Sequence, residues 1–356
     1  MKLSPWPAAL LLIACAAYFL PQYGQNTPDV QLSPPTLKDP LPKDTRSLFT
    51  KSRPATVQID QYGTTENGQV SGGLGTGFLI SGDGQVMTAY HVVDGARLIW
   101  VKTLTGKRYR ARVTAFDNAA DVALLKIDAP KQGLPFLNIA SRAAKIGEGV
   151  LAIGNSGGDF LQARTGRLLR LGARAGQADF PQNTLEMSAP LAPGDSGGPI
   201  LNAQGEVMGV VSYVRVNDTG RTITSYAVPV MGGGQLVQAL EAGVKRDVPA
   251  VGLVFDGQHN GLTTPSGGLV ARVVPGGPAA AAGLRGAEYD ADNQLVTFGD
   301  TITAVDGIRT RSSNDVIFEI RRRQVGDSVE LTLSNKGKSR QVPLKLVPKG
   351  TIDYPQ

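Results

Sequence analysis

The sequence predicts a mainly β protein that ends in a small α+β domain, and three observations support this prediction. The chain has 356 residues, 41% of them hydrophobic, which exceeds the usual span of one domain. It contains 44 glycines but only 6% aromatic residues, and glycine is useful where a chain reverses but costly inside regular elements. Short apolar runs alternate with turn residues over residues 48–229, as in an antiparallel sandwich or barrel. Two folded domains with flanking tails are therefore expected.

Residues 1–20 have the pattern of an export segment. An apolar stretch at residues 8–20 follows Lys2, and it has about the length of a signal-peptide core but is short for a membrane span. Three fates are open: cleavage as a signal peptide, retention as a membrane anchor, or lipidation at Cys15 in a segment that resembles a bacterial lipobox. Each fate begins with export, so we expect a periplasmic or cell-envelope protein, associated with the membrane if the segment is retained.

The segment after the export signal is expected to be a spacer. Residues 21–45 are rich in proline and polar residues without an apolar period, which predicts an extended linker. The first folded domain is predicted over residues 46–243. A helix with one apolar face and a glycine directly after it, at residues 235–242, closes this domain.

A second domain is predicted over residues 248–348. Ser312 and Asp315 have the spacing of a capping box in front of an apolar helical pattern, so a helix is expected to begin there. Short strands are predicted at residues 268–274, 300–305 and 328–333. The combination describes a small α+β unit of about a hundred residues.

The composition limits the classes of partner and cofactor. The formal charge of +6 does not indicate a nucleic-acid partner, because Lys and Arg are dispersed and aromatic side chains for base stacking are scarce. The densest basic run, at residues 321–323, lies at the end of the predicted helix, where cations complement the helix dipole. Cys15 is the only cysteine, so an internal disulfide and a cysteine-ligated zinc site are excluded. We expect no metal and no organic cofactor.

The chain has two histidines, so a mechanism that needs an imidazole base must use His91 or His259. His259 lies in the polar segment at residues 256–261 and is interpreted as a solvated loop residue. His91 follows the apolar run at residues 86–89, so it lies where a strand ends. Taken alone, a histidine at such a position is ordinarily a packed structural residue.

Two further polar residues stand at strand boundaries. Asp121 comes directly before the apolar run at residues 122–127, where a partly buried carboxylate needs a partner such as an imidazole N–H. Taken alone, it is also compatible with an ordinary turn aspartate. Ser196 has glycines on both sides, which suits a tight turn with an exposed hydroxyl and convergent N–H groups. The alternative there is a glycine-rich hairpin turn.

The order histidine, aspartate, serine is that of the catalytic triad in chymotrypsin-fold proteases. The segments at residues 88–93, 120–125 and 194–199 together resemble the HtrA/DegP family of serine proteases. The short loop between Ile59 and Gly75 resembles that of the shorter, DegS-like members. The likeness extends over nearly everything after about residue 46. It implies a mainly β fold in which a chymotrypsin-like double β-barrel protease domain precedes a small α+β PDZ domain.

The resemblance also implies catalytic roles. Ser196 would be the nucleophile, His91 the general acid and base, and Asp121 the group that orients His91 and sets its tautomer. The N–H groups of Gly194 and Ser196 would form the oxyanion hole. Asp195 stands where the family commonly has asparagine. In digestive proteases the corresponding aspartate pairs with a newly freed N-terminus, and we assign no such role here because no activation peptide is evident.

The resemblance further predicts the primary substrate pocket. None of its residues is acidic, so the pocket is expected to favour small or medium aliphatic residues rather than Lys or Arg before the cleaved bond. The residues are Pro190, Leu191, Ser212, Tyr213, Val214 and Thr224.

The second domain carries its own resemblance, to PDZ domains of the bacterial HtrA kind, through residues 268–270, 274–280 and 282–284. Such domains bind the free C-terminus of an extended peptide at a sheet edge. Ile317 on the predicted helix is expected to form the opposite wall of the groove. The loop expected to bind the terminal carboxylate consists of Ala250, Val251, Gly252 and Leu253.

These features predict a serine endopeptidase of extracytoplasmic protein quality control or regulated proteolysis, which cleaves unfolded or exposed segments. The alternative is a latent or inactive protease that acts as a peptide-binding chaperone or scaffold, and the predicted PDZ domain is its main support. The family resemblance implies a homotrimer formed through the protease domain, with a contact near Leu48 and Phe49.

Overall fold

The computed structural model describes residues 43–64, 70–129, 133–158, 160–174, 180–217, 219–259, 261–292 and 294–354. The predicted export segment, including Cys15, and the linker up to residue 42 lie outside these residues. Their three fates therefore stay predictions. Among the helices of the described ranges, none has the length and apolar character needed to cross a membrane.

The described chain begins with helix α1 (Lys43–Ser52), which leads through a 3₁₀ turn (Arg53–Ala55) into the first barrel. Leu48 and Phe49, the residues near the expected trimer contact, are partly buried against the core of this barrel. The Arg53 guanidinium lies 5.3 Å from the centre of the Phe49 ring. These contacts make the helix part of the first domain.

The first barrel has six strands: β1 (Thr56–Thr64), β2 (Val70–Leu79), β3 (Gln85–Thr88), β4 (Leu98–Lys102), β5 (Arg108–Asp117) and β6 (Val122–Ile127). They pair in the order β5-β4-β1-β2-β3-β6, and antiparallel pairing of β5 with β6 closes the barrel. Burial alternates along β4 and is almost continuous along β6, as their apolar patterns require. The largest fully buried side chains of this core are Ile59, Phe78, Leu79, Met87, Leu125 and Ile127.

The second barrel also has six strands: β7 (Gly149–Gly154), β8 (Gln162–Ala173), β9 (Thr184–Met187), β10 (Pro199–Leu201), β11 (Val207–Val216) and β12 (Thr222–Pro229). They form a closed barrel in the order β10-β11-β12-β9-β8-β7. A 3₁₀ turn (Ser156–Gly158) follows β7. Leu168, Met187, Leu191 and Ile200 are buried in its core. The two closed barrels confirm the predicted double-barrel fold.

A helix and a short strand end the first domain. Helix α2 (Gln235–Glu241) confirms the helix expected at this point, and its Val237 and Leu240 are buried in the first core. Strand β13 (Lys245–Arg246) then pairs in parallel with β5. The chain therefore remains attached to the first barrel up to Arg246.

The second domain is a small α+β unit, as predicted. Its strands are β14 (Pro249–Ala250), β15 (Leu253–Phe255), β16 (Gly268–Val273), β17 (Glu288–Tyr289), β18 (Leu295–Thr297), β19 (Thr301–Val305), β20 (Ile308–Arg309), β21 (Ser328–Asn335), β22 (Lys338–Lys345) and β23 (Val347–Pro348). Its helices are α3 (Pro278–Ala281) and α4 (Ser313–Arg321), and a 3₁₀ turn (Lys349–Thr351) follows β23. The main sheet has the order β15-β16-β19-β21-β22, so β15 lies at its edge.

The cap of α4 differs in one contact from the predicted capping box. The Ser312 side chain accepts a hydrogen bond from the Asp315 N–H at 3.3 Å, as a helix cap should. The Asp315 carboxylate accepts from the Arg311 N–H at 2.8 Å instead of from the N–H of Ser312. The helix begins at the expected place, and Val316 and Ile320 are buried in the second core.

The end of the second domain contacts the first domain. Lys349 Nζ donates to Asp94 Oδ2 at 3.2 Å, and Asp94 lies three residues after His91. The Asp247 carboxylate accepts from Asn118 Nδ2 and from the N–H of Gly350, each at 2.6 Å. The segment after β23 therefore lies close to the turn that contains the first histidine.

Candidate active site

His91 lies in a 3₁₀ turn (Tyr90–Val92) directly after β3. The Tyr90 side chain is buried, and its ring stacks on Phe116 with 4.4 Å between the ring centres. This packing holds the turn against the first core. The His91 side chain points out of the core and is 43% exposed, so its ring can meet a substrate.

The Asp121 carboxylate contacts both the backbone N–H and the imidazole ring of His91. Asp121 precedes β6 with a positive φ of 55° and is 7% exposed. Its carboxylate accepts from the His91 N–H at 2.9 Å and lies 2.8 Å from His91 Nδ1. Because a carboxylate only accepts hydrogen bonds, Nδ1 donates and Nε2 is left on the opposite side of the ring.

Ser212 contributes a contact that the sequence did not predict. Its Oγ–H donates to Asp121 Oδ2, which fills a third acceptor position of this carboxylate. We predicted Ser212 as a pocket residue only. Ser212 lies 91 positions after Asp121, so no local sequence pattern indicates this contact. Only the approach of β11 to the first barrel brings the two side chains together.

The pKa of His91 reflects opposing effects. Partial removal of the ring from water lowers the pKa, whereas the charge of Asp121, the hydrogen bond to it and the charge of Asp94 raise it. Lys349 has a smaller lowering effect. The net result is a pKa above the ordinary value, so protonated His91 is stabilised in this site.

Ser196 follows a tight turn. The Asp195 N–H donates to Ala192 O at 3.0 Å, and Gly194 has a φ of 103°. Pro193 in the second position and glycine at positive φ in the third are typical of a type II turn. The turn is held from the first barrel, because Thr76 Oγ1 donates to Gly194 O at 2.6 Å.

The position of Gly197 brings the serine close to His91. A Cβ atom at Gly197 would overlap Thr88 Oγ1 and the Thr76 carbonyl, so only glycine fits against the end of β3. Ser196 therefore lies beside the strand that ends three residues before His91. Within the described residues, no hydrogen bond joins the Ser196 and His91 side chains.

Four residues predicted for the substrate pocket lie on the second barrel: Ser212, Tyr213 and Val214 on β11, and Thr224 on β12. Tyr213 stacks on Tyr226 with 4.5 Å between ring centres, and Phe180 lies 4.8 Å from the Tyr213 ring. Val214 and Thr224 are on neighbouring strands, and Thr224 Oγ1 donates to Tyr226 Oη at 3.0 Å. The stacked rings of Tyr213 and Tyr226 therefore join β11 to β12.

The other two residues predicted for the pocket lie on the segment before the Ser196 turn. Leu191 is buried and Pro190 is half-buried. The Leu191 N–H donates to Ser225 Oγ at 3.3 Å, which links this segment to β12. A carboxylate outside the predicted pocket set also lies on this barrel: Glu186 on β9 is 8% exposed, and Arg170 Nε is 3.5 Å from it.

The predicted carboxylate loop adjoins β15, the edge strand of the second domain. Ala250, Val251 and Leu253 are buried, and Gly252 has a φ of 82°. The Gly252 N–H donates to Tyr354 Oη at 3.2 Å. An amide that we expected to bind a peptide carboxylate therefore has a partner from the C-terminal segment of the same chain.

Ile317 and His259, two residues considered from the sequence, also lie in the second domain. Ile317 lies on α4 and is half-buried. His259 is not simply solvated as interpreted, because its Nδ1 lies 2.8 Å from the buried Asp256 carboxylate. The Tyr289 hydroxyl donates to the same carboxylate at 2.8 Å. Burial, together with the hydrogen bond to Asp256, raises the pKa of Tyr289 to about 12.

In the described part of the chain, no group of three or more His, Cys, Asp or Glu side chains is arranged to hold a metal ion.

Comparisons with known proteins agree with this architecture. The family described as Trypsin-like peptidase domain matches residues 75–210, and the family described as PDZ domain matches residues 249–346. Protease Do-like 1, chloroplastic, of Arabidopsis thaliana is 30% identical over 313 residues, which cover 85% of this chain and 71% of that protein.

A second relative matches this chain over a smaller fraction of its own length. The probable periplasmic serine endoprotease DegP-like of Pseudomonas savastanoi pv. phaseolicola is 31% identical over 326 residues, which cover 90% of this chain. The chain spans 63% of the length of that relative.

Solved structures show the same fold. The HtrA-type protease AlgW with tripeptide has a TM-score of 0.51 at 22% identity, and the comparison covers 88% of this chain and 99% of that one. The chain therefore belongs to the HtrA/DegP-like family of serine endoproteases and combines a trypsin-like peptidase domain with one PDZ domain.

Proposed function

We propose that this chain cleaves unfolded or exposed protein segments outside the cytoplasm through an acyl-enzyme on Ser196, with His91 and Asp121 as the other members of the triad. The observation that carries the proposal is the hydrogen bond between His91 Nδ1 and Asp121, which leaves Nε2 free on the opposite side of the ring. The contact of Gly197 with the end of β3 supports Ser196 as the nearby nucleophile.

The proposed reaction proceeds in two halves. His91 Nε2 takes the proton of Ser196 Oγ as Oγ attacks the peptide carbonyl carbon, and the resulting oxyanion accepts hydrogen bonds from the N–H groups of Gly194 and Ser196. Protonated His91 then gives its proton to the leaving amine, and the acyl-enzyme remains. Water attacks the acyl group with His91 again as base, which releases the carboxylic acid and restores Ser196. Asp121 holds the His91 tautomer throughout.

The primary pocket is proposed to take small or medium aliphatic residues. The stacked rings of Tyr213 and Tyr226 support this, as does the position of Val214 and Thr224 on adjacent strands. Glu186 is proposed not to attract basic residues, because Arg170 pairs with it. A cleavage profile of a denatured protein tests this selectivity, and predominant cleavage after Lys or Arg would contradict it.

The PDZ domain is proposed to bind the free C-terminus of an extended apolar peptide along β15. The loop of Ala250, Val251, Gly252 and Leu253 would hold the carboxylate through its N–H groups, and Ile317 would line the opposite wall. The edge position of β15 supports strand addition, and the positive φ of Gly252 supports close backbone approach. We expect roughly micromolar affinity.

Calorimetry can test this mode of binding. A peptide amide lacks the charge that the loop would hold, so the free acid should bind much more tightly than the amide. Tyr354→Phe should bind the free acid several times more tightly than the wild type, because the Gly252 N–H is then released. Tyr289→Phe is a matched control that removes a hydroxyl of the same domain. Equal binding of acid and amide would rule out carboxylate recognition.

We propose that the protein is exported. Its two domains are proposed to span residues 46–243 and 248–348, and the protease domains of three chains are proposed to form a homotrimer. The name of the DegP-like relative, which describes it as periplasmic, supports export. Membrane attachment through residues 1–20 is proposed only if mass spectrometry finds that segment in the mature chain.

A latent protease that serves as a peptide-binding chaperone is the second candidate. Two observations favour it: no hydrogen bond joins the Ser196 and His91 side chains in the described chain, and Tyr354 engages the Gly252 N–H. Catalytic hydrogen bonds are often long without substrate, so the first observation is compatible with an active enzyme.

Casein cleavage and labelling with a fluorophosphonate distinguish the two candidates. The active enzyme should cleave casein and carry the label on Ser196, and Ser196→Ala should abolish both while the protein stays folded. A folded wild type that neither cleaves casein nor reacts, with and without C-terminal peptides, would contradict the endopeptidase proposal.

A further inference from the structure

Asp195 directs its carboxylate away from the substrate side of the Ser196 turn and into the protein. It is 1% exposed. Its Oδ1 accepts from the Ser156 N–H at 3.0 Å, and its Oδ2 accepts from Ser156 Oγ–H at 2.7 Å. Oδ2 also accepts from the Ala192 N–H at 3.0 Å. One carboxylate thus joins the start of the turn to the segment after β7.

A buried cation supports this contact. Arg164 on β8 is 5% exposed, and its Nη2 donates to Ser156 Oγ at 3.1 Å and to Ser156 O at 3.4 Å. Since the same Ser156 hydroxyl donates to Asp195, the three side chains form a chain of hydrogen bonds with a charge at each end. A buried ion needs such a partner, because an unpaired charge in the interior is costly.

The surrounding backbone leaves little room for another arrangement. A Cβ atom at Gly154 would overlap the Asp195 carboxylate, and one at Gly194 would lie 2.9 Å from Asn155 O. Asn155 is buried, and its Nδ2 donates to Thr76 Oγ1 at 2.9 Å, the hydroxyl that binds Gly194 O. The turn is therefore held on both sides.

Asp195 makes two hydrogen bonds with Ala192 across the turn, one through its backbone N–H and one through its carboxylate. The Asp195 N–H donates to Ala192 O, and the Asp195 carboxylate accepts from the Ala192 N–H. These two bonds restrict the peptide planes between Ala192 and Asp195. One of those planes carries the Gly194 N–H, so the position of the Asp195 side chain determines where this donor points.

We propose that Ser156 and Arg164 are positioning residues for the oxyanion hole: they hold Asp195 in the interior, and Asp195 aligns the Gly194 and Ser196 N–H groups. This inference rests on the proposed endopeptidase function. The anchor comes from within the folded barrel, so this turn reaches its competent shape without a newly freed N-terminus. Arg164 and Ser156 thereby influence the turnover number, although neither contacts the substrate.

Steady-state kinetics on a peptide substrate, with the full chain, test the proposal. Ser156→Ala and Arg164→Met should each lower kcat roughly tenfold to a hundredfold with little change in KM, because an oxyanion donor acts mainly in the transition state. The double variant should lose little more than the worse single variant, because both residues act through Asp195. Asp195→Asn, which keeps an acceptor oxygen, should retain more activity than Asp195→Ala.

Matched controls separate positioning from general destabilisation. Ser81→Ala removes a serine that also donates to an aspartate, in the loop between β2 and β3, and Arg142→Met removes an arginine paired with Glu148. Both should keep kcat within about twofold of the wild type. Melting temperatures identify any variant that fails to fold.

A peptide boronic acid gives a second readout, because its tetrahedral adduct on Ser196 uses the oxyanion donors. Its inhibition constant should rise in parallel with the loss of kcat, while binding of the matching cleavage product stays unchanged. Folded Ser156→Ala and Arg164→Met variants with wild-type kcat and boronate inhibition would overturn the proposal and leave the endopeptidase function intact. A wild type without activity would instead contradict the endopeptidase function, and this inference with it.

Discussion

The two histidines of this chain lie in different domains, and each makes nearly the same contacts with an aspartate. The His91 N–H donates to Asp121 at 2.9 Å, and its Nδ1 lies 2.8 Å from that carboxylate. The His259 N–H donates to Asp256 at 2.9 Å, and its Nδ1 lies 2.8 Å from that carboxylate. Distances alone do not distinguish the pair in the peptidase domain from the pair in the PDZ domain.

The surroundings of the two pairs differ. Ser212 donates to the aspartate of the first pair, and the Ser196 turn lies against the strand that leads to the histidine. Tyr289 donates to the aspartate of the second pair, whose two members are three residues apart in one loop. The second pair closes a loop, whereas the first connects two segments beside a nucleophile. A His–Asp hydrogen bond acquires a catalytic meaning only from what lies next to it.

The largest expected effect is a difference in kcat between variants of the two His–Asp pairs. Asp121→Asn should lower kcat about 10⁴-fold, because an amide can stabilise the wrong tautomer of His91. Asp256→Asn should leave kcat on a short peptide within about twofold, because the second pair contacts no reacting group. Initial rates with an amide substrate measure both. Similar losses of kcat in the two variants would contradict the assignment of only the first pair to catalysis.

A smaller effect concerns stability in the PDZ domain. Burial raises the pKa of Asp256, but the N–H groups of His259 and Gln258, the Tyr289 hydroxyl and the His259 side chain outweigh it, so the pKa is lowered. Its contribution to stability is therefore present above about pH 3.9 and is lost as the pH falls through the folded-state pKa.

Asp256→Ala should accordingly reduce the free energy of unfolding of the PDZ domain by about 1–3 kcal/mol at neutral pH, since buried donors lose their acceptor. The loss should shrink as the pH falls through the folded-state pKa, because the wild-type carboxylate then becomes protonated. Urea unfolding at pH 7 and pH 2, with the exposed Asp128→Ala as control, measures this. An equal loss at both pH values would contradict the ionic contribution.

The smallest effect is a shift of the pH profile. Since the pKa of His91 is raised, the stability that protonation contributes is complete below about pH 6.5 and is lost as the pH rises through the folded-state pKa. Catalysis requires neutral His91, so activity should increase over that same range.

Substitutions of the charges near His91 should move the acid limb of kcat/KM in opposite directions. Asp94→Asn should shift it to lower pH by a few tenths of a unit, and Lys349→Met should shift it to higher pH, because Asp94 raises and Lys349 lowers the pKa of His91. Asp128→Asn is a suitable control on the same barrel. Shifts of the same sign in the two variants would refute this account.

The strands were predictable from sequence where their residues are continuously apolar, and not where apolar and charged residues alternate. Strand β6 was predicted with its observed bounds, Val122–Ile127. Strands β5 (Arg108–Asp117) and β8 (Gln162–Ala173) were missed, because arginines and threonines interrupt their apolar residues, and all of these arginines except Arg164 are exposed. In a barrel, one side of such a strand meets solvent, so an apolar run is not required.

The candidate site was predictable where the chemistry is local. The sequence by itself determined that His91 follows a strand, that Asp121 precedes one and that the glycines on both sides of Ser196 suit a tight turn. Each feature depends on backbone preferences of a few adjacent residues. The order of the three residues is that of chymotrypsin-fold proteases, and the segments around them carry the resemblance to the HtrA/DegP family.

Only the tertiary structure decided which distant side chains support that site. Ser156 and Asp195 are 39 positions apart, Asp121 and Ser212 are 91 apart, and Gly252 and Tyr354 are 102 apart. No local preference predicts these pairs, because each forms only when a closed barrel or a docked terminal segment brings its members together. A buried carboxylate must find donors, but the fold determines which donors are within reach.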